Sequence, residues 1–297
     1  MTQTLYAFEK LKLRIPTLSY EFFPPKSPEG WSTLYSSLGE VAKQNLDFVS
    51  MTYGAGGSTR EKTVGLVGRI QNELGVQTVA HLTCGGHSRD ELRQILDQLQ
   101  SVGVHAIMAL RGDPSRGEKA FTVHPDGFAH ASDLIAFIRE QYDFTIGYAS
   151  YPEIHPESTN AEDDIHYLKL KQECGADFTV TQLFFDNDDF YRFRQRAENA
   201  GVTIPIVAGI MPVSSTGQLT RFQEMCGCHI PKKLLAFLGG DADSDQIVQR
   251  GIDYGVLQCG DLLDHDVAGV HLYTLNKSIS SRGISDSLRF KGYFSGH

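Results

Sequence analysis

Eight short apolar runs, rich in β-branched and aromatic residues, recur along the whole chain. They are Leu18–Phe23, Phe48–Tyr53, Thr78–Cys84, Ala106–Gly112, Thr145–Tyr151, Phe178–Phe185, Ile204–Met211 and Val267–Leu275. Their length and composition read as buried strands. Amphipathic helical patterns fill the gaps. In "SRDELRQILDQLQSVG", Ser88 and Glu91 form a capping-box signal and Gly103 is a stop. Leu92, Ile95, Leu96 and Leu99 make the apolar stripe between them. "SDLIAFIREQY", "NAEDDIHYLKLKQECGA" and "DNDDFYRFRQRAENAG" repeat the scheme. The stretch between Met211 and Val267 is longer than one helix requires, and from Pro231 it reads as two helices split at Gly239–Gly240. Strand and helix alternate eight times without a linker, the pattern of a parallel α/β domain. Eight units in 297 residues fit a closed (β/α)8 TIM barrel, with a doubly wound open sheet as the structural alternative. We expect a single domain over 1–297 with a short N-terminal extension. A barrel of this kind places its chemistry where strands end and helices begin.

Composition narrows the function class. Hydrophobic residues make up 41% of the chain and charged residues 21%, ordinary values for a soluble protein with a sizeable core. A net charge of −9 argues against a general role on nucleic acid or anionic membrane. The stretch "MTQTLYAFEKLKLRIP" lacks the apolar core and cleavage site of a signal peptide. No run approaches the length of a membrane-spanning helix. Five cysteines, an odd number, do not suggest a disulfide framework, and the expected compartment is the cytoplasm. "CGGH" (Cys84–His87) and "CGCH" (Cys226–His229) lack the paired spacing of a zinc site and read as isolated thiols, so no metal is expected.

The stretch "MTYGAGGSTREKT", Met51–Thr63, imitates the dinucleotide fingerprint G-x-G-x-x-G. Gly54 and Gly56 fill its first two positions, but Thr59 stands where the third glycine should let the helix pack on its strand. The turn also follows the second strand, where a Rossmann domain has it after the first. The plainer reading is a strand-to-helix loop with Ser58 or Thr59 as N-cap.

Polar residues gather at the strand ends. Glu21 interrupts the first strand with aromatics on both sides. Burial raises a carboxyl pKa toward the range of a general acid. The equally weighted alternative is a carboxylate paired with a buried Arg or Lys. His81 and Thr83 lie in the third strand, Arg111–Pro114 end the fourth, Tyr151–Ser158 end the fifth, and Gln182 lies in the sixth. Asp113 is more commonly a turn residue or the partner of Arg111. Gln182 is either a core amide satisfied by backbone or a donor and acceptor set side by side for a flat heterocycle. His155, with Pro156 after it, is more often a fixed turn residue, and Lys169 and Lys171 a solvated face.

The motifs "EFFPP", "VSMTYGAGG", "HLTC", "ALRGDP", "YPEIHPE", "GADFTVTQLFFD", "AGIMPV" and "YTLNK", in this order over Ser19–Lys277, resemble the methylenetetrahydrofolate reductase family. The likeness is to the bacterial type, which consists of the catalytic domain only. It implies a (β/α)8 barrel that binds FAD and uses NADH or NADPH to reduce 5,10-methylenetetrahydrofolate to 5-methyltetrahydrofolate, feeding methionine synthesis. It also implies ping-pong hydride transfer and a homo-oligomer, dimer or tetramer. The glycine-rich stretch then becomes a barrel loop. Thr52 would touch the nicotinamide substrate, and Tyr53 and Ala55 would line the flavin. His81, Arg111, Gly112, Asp113, Ala131, Ser132, Tyr151, His155 and Ser158 would be further flavin contacts. Asp164 and Lys171 would meet its adenosine and phosphate end. Glu21 matches the family's general acid, which protonates N10 as the folate's five-membered ring opens to an iminium cation. Asp113 would stabilise that cation, and Asp113 and Gln182 would hold the pterin, with Lys277 near the folate. Two departures stand out. Thr216 replaces a common aromatic that packs on folate or nicotinamide, and Tyr167 and Leu170 occupy positions that are polar or basic in some relatives. The rival readings are a flavin-free pterin barrel, such as a methyltransferase, and a non-catalytic folate-binding subunit.

Overall fold

A computed structural model describes residues 7–53, 57–113, 121–240 and 242–294, with backbone alone for 57–62. Eight parallel strands close into a barrel in sequence order. They are β1 (Thr17–Phe22), β2 (Phe48–Met51), β3 (Thr78–Thr83), β4 (Ala106–Leu110), β5 (Thr145–Ser150), β6 (Phe178–Thr181), β7 (Ile206–Ile210) and β8 (Gly269–Tyr273). The seam closes by pairing β1 with β8, Ser19 against His271 and Glu21 against Tyr273. The closed ring excludes the open doubly wound sheet. Each strand falls within its apolar run, except that β1 begins one residue earlier at Thr17, and every run overshoots its strand at the C-terminal end. That overshoot carries Tyr53, Arg111, Tyr151 and Gln182 into the loops of the barrel mouth.

Helices follow the strands and cover the outside. They are α1 (Ala7–Lys12), α2 (Pro28–Val41), α3 (Gly57–Glu73), α4 (Arg89–Ser101), α5 (Ala131–Gln141), α6 (Ala161–Glu173), α7 (Asn187–Asn199), α8 (Thr216–Cys226), α9 (Lys232–Leu238), α10 (Ser244–Asp264) and α11 (Ser278–Phe290). The capping box of α4 forms as the sequence implies. The Ser88 backbone N–H donates to Glu91 Oε2 at 2.9 Å, and the Glu91 N–H donates to Ser88 Oγ at 3.2 Å. The long segment after β7 breaks at Gly239, whose φ of +75° suits a residue without a Cβ. Ser58 and Thr59 fall inside α3, which starts at Gly57, so neither is its N-cap.

Alternate strand residues point into the barrel. At the N-terminal end these are apolar. Phe48, Val79, Ala106, Met108, Phe178, Val180 and Val207 pack with Ala7 and Leu11 of α1. The Phe8 ring lies 5.9 Å from Phe48 and 5.5 Å from Phe178. The expected N-terminal extension thus lies across the bottom of the barrel. It is fastened there by Lys10 Nζ, 2.5 Å from Asp47 Oδ1, while Asp47 Oδ2 accepts the Leu18 N–H at 2.8 Å.

Candidate functional site

Moving up the same inward-facing rows, the residues turn polar. β1 brings Ser19 and then Glu21, β2 Ser50, β3 His81 and Thr83, and β8 His271 and Tyr273. They open into a cavity of about 1260 Å³ at the C-terminal mouth. Glu21 faces two histidines where a buried Arg or Lys was the alternative. Its Oε2 is 3.6 Å from His81 Nε2 and 3.8 Å from His271 Nε2. His81 Nε2 is buried without a hydrogen-bond partner. Burial holds its imidazole below the ordinary histidine range, with Glu21 pulling the other way and His271 adding to the depression. The Tyr273 hydroxyl donates to the Thr181 carbonyl at 2.6 Å. Burial, and then the nearby Glu21 charge, lift it well above the usual tyrosine range.

A second group comes from the loops after β4 and β5. The Arg111 guanidinium grips Glu157 through two contacts, 2.5 and 2.8 Å, and lies over the Phe121 ring at 5.1 Å. Its ion pair is therefore with Glu157, and Asp113, a cavity-lining residue, is left outside it. Gly112 makes the turn with φ +93°, and a Cβ there would come within 3.2 Å of Thr83 Cβ. The Tyr151 phenol is pushed up to about 12 by burial and then by Asp113. Its ring meets His155 edge-on at 4.5 Å, and His155 Nδ1 accepts the Glu157 N–H at 3.1 Å. His155 is held low by burial.

At the far end, the Ser158 hydroxyl donates to Asp164 at 3.3 Å. Burial raises Asp164, opposed chiefly by Lys171. Lys171 itself is driven down to about 8 by burial, opposed by Asp164. Its ammonium donates to the Ala149 carbonyl at 3.3 Å and sits 4.8 Å from the centre of the Tyr148 ring. The solvated-face reading fails for this residue, because Asp164, Tyr167 and Lys171 form one polar stripe of α6 that faces the cavity. It holds for Lys169, which makes only a 3.9 Å pair with Glu173.

Thr52 and Tyr53 after β2, Ala131 and Ser132 at the start of α5, and Gln182 after β6 also line the cavity. Gln182 Oε1 accepts the Leu183 N–H at 2.9 Å. Tyr167 and Leu170 line it too, so α6 offers an aromatic and an aliphatic surface where some relatives are polar or basic. Lys277 is not on the cavity wall; it is the exposed N-cap of α11. Thr216 is likewise off the wall, exposed in the first turn of α8. Ala55, with Gly54 and Gly56, lies outside the described residues. Sequence reasoning passed over His271, Glu157 and Tyr273. His271 carried a usable signal, a polar residue in an apolar strand like Glu21. Among the described residues no His, Cys, Asp and Glu cluster could hold a metal ion, and no helix is long and apolar enough to cross a membrane. Cys84 is buried, with its thiol pushed up to about 11 by burial.

Comparison with known proteins bears on this arrangement. The family described as methylenetetrahydrofolate reductase matches residues 8–289. A methylenetetrahydrofolate reductase (NADH) 1 of Arabidopsis thaliana is 38% identical over 278 residues, covering 90% of this chain and 47% of the plant protein. The 5,10-methylenetetrahydrofolate reductases of Salmonella typhimurium and Escherichia coli are each 36% identical, covering 91% of this chain and 90% of theirs. The chain thus spans about half the length of the plant relative and most of the bacterial ones. A solved structure from Clostridium thermocellum, a protein that binds two copies of 5-methyl-5,6,7,8-tetrahydrofolic acid, shares the fold with a TM-score of 0.65 at 16% identity, covering 97% of this chain and all of that one. With nearly the whole barrel matched, and identity well above 30% to relatives whose length it almost fills, this chain belongs to the methylenetetrahydrofolate reductase family.

Proposed function

We propose that this chain reduces 5,10-methylenetetrahydrofolate to 5-methyltetrahydrofolate, drawing on NADH or NADPH through bound FAD. The observation that carries the reading is the meeting of Glu21, Asp113 and Gln182 on one cavity, although β1, β4 and β6 deliver them from distant parts of the sequence. The family membership supplies the chemistry those three residues suit.

The cavity fits a flavin dinucleotide. Lys171 is a half-buried cation opposed by Asp164, and an anionic diphosphate would favour the charged form that desolvation penalises. Arg111 stands at the mouth, and Ala131 and Ser132 open α5 on the cavity wall, beside a first turn capped by His130 and Asp133. Tyr53, Tyr151 and His155 offer ring surfaces, and His81 Nε2 is a buried polar atom without a protein partner. When bound, the flavin supplies the carrier of hydride between nicotinamide and folate.

The chain's own residues then act on the folate. Opening its five-membered ring requires a proton at N10. Glu21, the carboxyl on the cavity wall, delivers it directly or through one water. The ring-opened folate is a cation, and Asp113 is an acidic side chain placed to stabilise it. Gln182 reads the pterin edge with its amide.

The test begins with colour. The purified protein should be yellow and should release FAD on denaturation. Under anaerobic conditions NADH or NADPH should bleach it, and methylenetetrahydrofolate should restore the colour. FMN alone, or no flavin after reconstitution with FAD, defeats the proposal. A colourless protein that still binds folate would favour the flavin-free pterin barrel.

A further inference from the structure

His271 is the most thoroughly enclosed polar side chain beside Glu21, and nothing in the proposed chemistry yet uses it. It is 1% exposed. Its ring stacks on Phe48, with centroids 5.6 Å apart. Both ring nitrogens are occupied by serines from neighbouring strands. Nδ1 lies 2.7 Å from Ser19 Oγ and Nε2 lies 3.1 Å from Ser50 Oγ. Only the closure of β8 on β1, with β2 next to β1, brings these three together.

Ser19 Oγ also reaches the Val270 carbonyl at 3.4 Å, so the serine that holds Nδ1 is itself tied to the strand beside it. The imidazole is thereby fixed at both nitrogens, with Nε2 3.8 Å from Glu21 Oε2. At that distance the ring meets the carboxyl through space and sets the wall it rests against, without a hydrogen bond between them.

We infer that His271 is a positioning residue for Glu21: held between Ser19 and Ser50, it fixes the wall beside the carboxyl and so sets how Glu21 presents its proton. The inference rests on the reading of Glu21 as the acid for folate. The other ionisable groups that face this pair do not take the role. His81, across the cavity on β3, is held neutral further into acid than an ordinary histidine by its burial. Tyr273, next but one on β8, is held protonated by its own burial.

His271→Asn tests this. An asparagine amide can occupy the Nδ1 end of the ring but does not reach Nε2. The protonation midpoint of the Glu21 carboxyl is read in the holoenzyme by infrared titration, using the difference from the matching Glu21→Gln protein. His271→Asn moves that midpoint by about one pH unit, a tenfold change in the ratio of acid to carboxylate. In stopped-flow, the pH profile of the folate half-reaction moves by the same amount in the same direction, while flavin reduction by nicotinamide keeps its profile. Ser19→Ala, which removes the donor that fixes the ring, moves both in the same direction by less, and it decides the matter if His271→Asn does not fold. A midpoint and profile that superimpose on the wild type overturn the inference. A wild-type protein that is bleached by nicotinamide but never reoxidised by folate overturns the proposed function instead, and the infrared midpoint still judges His271 by itself.

Discussion

The two ends of this barrel are built from the same strands and the same inward-facing rows, yet they treat polar groups in opposite ways. At the bottom, Lys10 and Asp47 are nearly buried, 6% and 9% exposed, and the available partners are matched. Lys10 meets Asp47, and the second oxygen of Asp47 takes a backbone N–H. Around them the interior is Phe48, Val79, Phe178 and their apolar neighbours. At the mouth the matching is incomplete. His81 Nε2 has no hydrogen-bond partner, Lys171 is pushed down to about 8, and Tyr151 is pushed up to about 12. Buried polar groups in proteins are normally satisfied, so an unpartnered imidazole nitrogen beside a lysine and a phenol whose charged forms burial penalises marks an end of the barrel that a ligand can complete. The bottom spends its polar groups on closure, and the mouth keeps them for chemistry.

The largest effect that separates the ends should come from Lys10→Met. It strands a buried carboxylate, and breaking one side of a buried pair costs about 3–5 kcal/mol. Urea unfolding measures the loss, and FAD content of the folded fraction should stay at the wild-type level. A loss below about 1 kcal/mol would mean that the bottom is not closed by this pair.

Lys171→Met should do the reverse. In flavin-free protein it removes a cation whose charged form burial disfavours, and Asp164, already raised by burial, takes up a proton in place of its lost counter-charge, so stability at pH 7 rises by at most about 1–2 kcal/mol. The sign follows from the depressed folded pKa. Below about 8 the lysine is charged in both folded and unfolded chains, and the penalty is complete. As pH rises from about 8 toward the ordinary 10.5, the folded protein sheds the proton first and the wild type recovers. The advantage of the variant therefore shrinks across that window in thermal melts. The same substitution weakens FAD binding about tenfold at pH 7, the worth of one charge-assisted contact. Equal losses of stability and FAD would erase the distinction between the ends.

Thr216→Phe should have the smallest effect. Thr216 is exposed on α8 and off the cavity wall, so restoring the family's aromatic should move the KM for folate or nicotinamide by about twofold, within the usual range for a surface change, and leave FAD content alone. A tenfold change in either KM would show that α8 closes over the mouth during turnover.

How much of this was legible in the sequence follows from the same contrast. Strands of a parallel barrel are covered on both faces and read as continuous apolar runs, so all eight could be placed. Glu21 and Gln182 were visible because a polar residue in or just after such a run is costly unless it is used. Lys171 was misread because the periodicity of a helix shows which side is apolar, not whether its polar side meets water or a cavity. The grip of Arg111 on Glu157 joins residues 46 positions apart, and the clasp of Ser19 and Ser50 on His271 joins β8 to β1 and β2 across more than 220 positions. Neither has a local signature, because both exist only once the ring has closed.

The central claim is that Glu21 is an acid used by the mouth. Glu21→Gln preserves the shape and removes the proton. Measured separately by anaerobic stopped-flow, flavin reduction by nicotinamide should stay within about tenfold of wild type, while reoxidation by methylenetetrahydrofolate should fall by about 10²-fold or more, the usual worth of a positioned general acid. Equal slowing of both half-reactions would contradict the account and leave Glu21 as a structural residue of the strand.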